Sequence, residues 1–251
     1  MKKKTIRVIL IIVCFVAIVV GANIASKNLL VNKVVIDITY MSEDKMLQAN
    51  DVEQALVAHF GKFKGVKRKN IHTKDIEQYL NTMNFVMTSD VYLGILGKLD
   101  IKIKQSLPIA KIVCMDNKQL YLTDDALLMQ QMASVAANVI VISGNILIAK
   151  TTKDTTNNPL LSNIYSLAHK IYHDNLLGGQ IGQIYVNKDT LDMQPIEGDY
   201  IIRLGSFDNI DNKLRRLVTF YTEGEVSAQQ WEQSEIINLS FDNQVINVKK
   251  K

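Results

Sequence analysis

The longest apolar stretch of the chain comes first. Between Val8 and Ser26 no residue is charged, and "VILIIVCFVAIVVGANIA" is almost wholly aliphatic. A helix needs about 20 such residues to cross a hydrocarbon core, so residues 8–26 read as a transmembrane helix. Lys2, Lys3, Lys4 and Arg7 precede it, which by the positive-inside rule leaves residues 1–7 as a cytoplasmic tail and exports the remainder. A cleavable signal peptide has the same layout. Its apolar centre is usually shorter, about 7–15 residues, and ends in a small-x-small site that the stretch from Gly21 to Ser26 matches poorly.

After the anchor the pattern becomes periodic. "VVIDITY" puts Val34, Ile36, Ile38 and Tyr40 on one side of a period-two alternation, which predicts a strand. "NDVEQALVAHF" carries Val52, Ala55, Leu56 and His59 along one helical face, with Asn50 and Glu53 at capping-box spacing. A second helix follows, with Thr73 as its cap and Ile76, Tyr79, Leu80 and Met83 as its apolar stripe. "FVMTSDVYL" predicts a strand facing inward through Phe85, Met87, Val91 and Leu93, and "KLDIKIKQ" another through Leu99, Ile101 and Ile103. The order β-α-α-β-β over residues 31–107 predicts a small α+β domain, a three-stranded sheet with both helices on one face.

Pro108 marks a change of pattern, and residues 108–249 read as a second, β-rich domain with flanking helices. Short strands fill Ile109 to Ile148, turning at "DNK" and "SGN". A helix begins at Asn158 as cap and Pro159 as first residue, burying Leu160, Ile164, Leu167 and Ile171. "GQIGQIYV" and "DYIIRLG" predict strands, and "DNIDNKLRRLVTFY" a helix burying Ile210, Leu214, Leu217, Val218 and Tyr221. In the closing segment Ile237, Leu239 and Phe241 share one face, "DNQ" breaks the alternation, and Val245 to Val248 form a short last strand before three lysines.

Composition adds limits. A hydrophobic content of 47% in 251 residues supplies ample core, and a net charge of +4, partly in the basic start, gives no nucleic-acid groove. Cys14 lies in the anchor, so Cys114 stands alone in the exported part and reads as a buried small hydrophobe. His169 and His173 share a helix face at the spacing two zinc ligands need, but "HKIYH" lacks the catalytic glutamate and shows no third ligand, so they read as partly exposed helix residues. His59 and His72 are isolated. Asp124 and Asp125 read as turn residues, and neither a nucleophile elbow nor a phosphate loop is visible. No catalytic residue, cofactor site or metal site is expected, and the chain reads as a non-enzyme. The basic loop Lys62 to Lys69 and the pair Arg215 and Arg216 read as solvated or as partner-facing charge.

The ordered motifs resemble the FtsQ/DivIB family of bitopic cell-division proteins, and its Bacteroidetes branch in particular. The first domain is similar to a POTRA domain, ending in "LDIKIKQSLPIAKI", where Pro108 and Ala110 match the family's junction and Ser106 replaces its usual arginine. "QLYLTDDALLM" is similar to the next element, with Ala126 in place of a glycine, and "RLGSFDNIDNKLRRLVTFY" and "INLSFDNQVINVKK" continue the match. The resemblance implies a scaffold of septal peptidoglycan synthesis in the inner membrane, its bulk periplasmic, linking early and late division proteins by binding FtsB-like and FtsL-like bitopic partners. It places the partner surface on the last strands and preceding helix: Leu239, Phe241, Val245, Ile246, Val248, Arg215, Arg216 and Tyr221. Ser240 replaces the arginine before the family's aromatic, the position of Phe241. A POTRA-type envelope chaperone is the alternative, and a membrane-tethered envelope hydrolase a further one that lacks an active site in this sequence.

Overall fold

In the computed structural model the described residues are 28–130, 136–149, 158–188, 190–223 and 233–250, together with positions 13, 15, 16 and 155. The expected anchor, residues 8–26, lies outside them apart from those three positions. Among the described residues no helix is long and apolar enough to cross a membrane. The chain divides into two compact units, Met1–Gln105 and Ser106–Lys251.

The first unit runs β1 (Lys33–Thr39), α1 (Ala49–Phe60), α2 (Thr73–Leu80), β2 (Val86–Leu93) and β3 (Lys98–Gln105). The sheet order is β1-β3-β2, with β1 parallel to β3 and β2 antiparallel to it. In β3 Leu99, Ile101 and Ile103 are buried and Lys102 and Lys104 exposed as the alternation predicts, but Asp100 on the outward set is buried, paired with Lys98. Val52 and Leu56 of α1 and Ile76 and Leu80 of α2 are buried.

Three local expectations fail here. Asn50 lies inside α1, whose cap is Gln48 with no side-chain hydrogen bond, so no capping box forms. Likewise Thr73 is the first residue of α2, and His72 precedes it as an uncapping N-cap. In β2 the inward set differs from the expected one: Val86 and Val91 are buried while Met87 is exposed. A register shift between Val86 and Thr88 reverses the parity of the strand at that point, and Phe85 is buried just outside it at φ +62°.

The second unit holds β4 (Pro108–Val113), β5 (Gln119–Thr123), β6 (Leu128–Gln130), β7 (Ile140–Gly144), α3 (Pro159–His173), a single helical turn α4 (Leu177–Gln180), β8 (Ile181–Asn187), β9 (Thr190–Pro195), β10 (Ile201–Gly205), α5 (Ile210–Glu223), β11 (Ser234–Asn238) and β12 (Ile246–Lys249). Among the described residues the strands form one nine-stranded mixed sheet, β12-β11-β10-β9-β8-β7-β4-β5-β6. β9 is an element the sequence reading did not anticipate. Leu161, Ile164, Leu167 and Ile171 of α3 and Leu214 and Leu217 of α5 join Ile112, Ile142, Ile184, Leu204 and Ile237 of the strands in one core. Asn158 caps α3 as expected, its Oδ1 accepting from the Leu161 amide at 3.2 Å with Pro159 next in line. Leu161 is the buried residue of that first turn and Leu160 only half-buried.

Gly144 ends β7 at φ +115°, and a Cβ there would lie 2.0 Å from the Val186 carbonyl oxygen, so only glycine lets β7 and β8 come together. Ala126, standing where the resembled family has glycine, adopts φ +61° in the β5–β6 turn.

Candidate partner-binding edge

Among the described residues β12 is the last strand of the sheet on one side and is paired on one edge alone. It runs antiparallel to β11, with Ile236 opposite Val248, Ile237 opposite Asn247 and Asn238 opposite Ile246. The Lys250 amide donates to the Gln233 carbonyl at 2.8 Å. Because backbone groups alternate in direction along a strand, Lys250, Val248 and Ile246 point their N–H and C=O groups at β11, whereas Lys249 and Asn247 direct theirs outward. That outward row is an open ladder.

The side chains divide in the same way. Ile237 is buried, and on the opposite face Ile246 and Val248 are exposed. β10 runs parallel to β11 with Ile201 opposite Ile236. Registers on both sides therefore align Ile201, Ile236 and Val248 as an apolar row across three strands, two of its members exposed. The row reaches the open edge.

The connection from β11 to β12 is built from within. Leu239 is buried just past the end of β11, and its amide donates to the Arg203 carbonyl at 2.8 Å. The Asn238 side chain accepts from the Ser240 amide at 2.9 Å, and Asn243 turns the chain at φ +58°. Arg216 of α5 spans the bend: its guanidinium donates to the carbonyls of Phe241 at 2.7 Å, Leu239 at 3.1 Å and Gln244. Phe241 itself projects with 50% of its surface exposed.

The eight expected site residues therefore occupy three situations. Phe241, Ile246, Val248 and Arg215 are exposed, and Val245 is half-buried against the core. Leu239 and Tyr221 are buried and shape the surface from behind. Arg216 is committed to backbone carbonyls, which makes it a staple of the bend.

Lys213 is an element of this region that the sequence reading missed. It is buried, donates from Nζ to the Ser206 carbonyl at 2.7 Å, and burial pushes its pKa down from the ordinary lysine value. Its spacing from Ile210 and Leu217 already put it on the buried stripe of α5. Tyr221 bonds hydroxyl to hydroxyl with Tyr200 at 2.9 Å, and burial, then that hydrogen bond, push its pKa up strongly.

The other candidate chemistry falls elsewhere. Cys114 is buried and burial pushes its thiol up, so it packs as a hydrophobe. In the basic loop Lys62, Lys64, Lys67 and Lys69 are exposed, while Arg68 donates to the Leu93 carbonyl at 2.8 Å and the Gly94 carbonyl at 3.3 Å. His59 stacks on Tyr79 with ring centroids 4.2 Å apart, and His72 is exposed. His169 and His173 converge on Asp124, a grouping the sequence reading did not connect.

A β-α-α-β-β unit followed by a mixed sheet defines the class: a POTRA-like domain and then a β-rich domain. Family comparison agrees on both parts. A model described as "POTRA-like domain" matches residues 30–104, and one described as "FtsQ/DivIB, C-terminal related" matches residues 107–248. The chain belongs to the FtsQ/DivIB family. No curated relative matches it.

Proposed function

We propose that this chain is a bitopic division scaffold of the inner membrane, anchored by residues 8–26 with residues 1–7 cytoplasmic, whose periplasmic units bind FtsB-like and FtsL-like partners at the septum. Family membership supports a cell-division scaffold. The observation that carries the finer reading is the open β12 edge beside the apolar row Ile201, Ile236 and Val248. An extended partner segment would pair with the outward groups of Asn247 and Lys249 and lay alternate side chains over Ile246 and Val248. The terminal lysines disfavour pairing with arbitrary strands.

Proline at an edge position removes an outward donor while sparing the inward ladder. Combining Asn247→Pro with Lys249→Pro in the full-length chain is expected to abolish co-purification of an FtsB-like partner without changing far-UV circular dichroism. Undiminished co-purification would sink the reading. A periplasm-dependent reporter fused after Lys27 is expected to be active, which tests the anchor separately.

A second reading, a POTRA-type chaperone, has one observation of its own. Among the described residues β1 is also an edge strand, and a cavity of about 200 Å³ lined by Val34, Ile36, Leu56, Val57 and Phe63 lies between it and α1. It predicts that client strands still bind after the β12 edge is blocked.

A further inference from the structure

The exposed surface of α3 holds a side-chain cluster with no part in the edge. His169 and His173, one helical turn apart, have ring centroids 4.4 Å from each other. Facing them is Asp124 in the turn between β5 and β6: its Oδ1 lies 2.7 Å from His173 Nε2 and 3.5 Å from His169 Nε2. One ligand atom from each of the three lies within 4.8 Å of the others.

We propose that Asp124, His169 and His173 form a zinc(II) site that clasps the β5–β6 turn to α3. Donor chemistry selects the ion: two imidazole nitrogens and one carboxylate oxygen suit zinc and its borderline neighbours, whereas calcium and magnesium take oxygen sets. Geometry fits as well. Bonds of about 2.0–2.2 Å arranged tetrahedrally put ligand atoms roughly 3.3 Å apart. The 3.5 Å separation of His169 Nε2 from Asp124 Oδ1 is close to that value, and the 2.7 Å contact at His173 has to open by a fraction of an ångström. The side chains are about one-third to one-half exposed, which leaves the fourth position to water.

The turn that carries Asp124 is held in place by its surroundings. The Asp124 amide donates to the Leu107 carbonyl at 2.8 Å, and its own carbonyl accepts from the Tyr165 hydroxyl at 2.8 Å. Thr123 closes the turn through two 3.1 Å bonds with Leu127. Tyr165 lies on α3 one turn before His169, so the helix that supplies the imidazoles also fixes the backbone of the third ligand. These backbone bonds fix where the third ligand sits relative to the two imidazoles. Asp125 adds negative charge at the next position, and its Oδ1 is buried with no hydrogen-bond partner among the described residues.

The test uses the full-length chain in detergent micelles, without a histidine tag, titrated with cobalt(II) and then zinc(II) as the probes. One cobalt per chain with the intense visible bands of a tetrahedral site, displaced by zinc, is expected. H169Q, H173Q and D124N should each weaken binding at least about tenfold, and H59Q should leave it unchanged. X-ray absorption at the zinc edge of the unmutated chain is expected to show two imidazoles, a reading independent of whether any variant folds. No saturable binding, binding unaffected by the three substitutions, or an all-oxygen shell would each overturn the proposal.

Discussion

At the scale of single residues the candidate edge depends on Arg216. Its guanidinium reaches three carbonyls of a seven-residue bend, a task for a planar fork with several donors. Arg216→Lys keeps the charge but reaches fewer of them. It is expected to destabilise the second unit by about 1–2 kcal/mol, read by chemical denaturation. Partner affinity should fall further than stability alone explains, because the bend sets the position of β12. Unchanged stability would mean that the bend holds without it. This role was not legible in the sequence. "LRRL" shows two adjacent arginines, and helical spacing separates an exposed Arg215 from a half-buried Arg216, but only the returning β11–β12 chain decides what Arg216 meets. Asp124 and His173 are a similar case: the i,i+4 spacing of the histidines was visible, while their acid lies 49 residues earlier and is joined to them by the fold alone.

At the scale of elements, hydrophobic periodicity located nearly every helix stripe and strand, and it failed at ends and irregularities. α1 shows why. Leu47 is pinned outside the helix: its amide donates to Gln105 Oε1 and its carbonyl accepts from the Tyr40 hydroxyl, both at 2.9 Å. The helix is therefore capped at Gln48, two residues before the Asn50 that looked like its cap. β2 was misread because a register shift reverses its faces, and β9 because "TLDMQP", with its terminal proline, lacks β-branched residues beyond Thr190. The missing cap suggests a gain. Gln48 is exposed with extended backbone, φ −118° and ψ 143°, the conformation an N-cap serine uses. Gln48→Ser is expected to stabilise the first unit by about 0.5–1 kcal/mol, measured as a shift in its denaturation midpoint. A neutral or negative result would show that the Gln48 side chain packs usefully where it lies.

At the scale of the molecule, family order was the most legible feature, since both family matches follow the motif sequence from POTRA-like domain to β domain. Global stability was not legible, because it depends on pairs such as Tyr200 and Tyr221 that meet only in the folded core of the second unit. Both hydroxyls are buried and both pKa values are pushed up, mainly by burial. The sign follows from proton counting. An unfolded tyrosine loses its proton near pH 10, while the folded pair keeps its protons beyond that. Above pH 10 the native state then binds more protons than the unfolded one, so stability falls with rising pH; below pH 10 the contribution is fully present and flat. For Tyr221, whose pKa is pushed up strongly, the loss is about 1.4 kcal/mol by one unit above the ordinary tyrosine value, and Tyr200 adds to it in the same direction. Combining Tyr200→Phe with Tyr221→Phe removes both hydroxyls of the pair together, so neither is left facing the gap of the other, and stability near pH 7 is expected to fall by no more than about 1–2 kcal/mol. Between pH 7 and pH 11 the double variant is expected to lose less stability than the unmutated chain, by about 1 kcal/mol or more in denaturant unfolding. Parallel stability profiles from pH 7 to pH 11 would show that the pair ionises as readily folded as unfolded, and would remove it as a determinant of the second unit's alkaline limit.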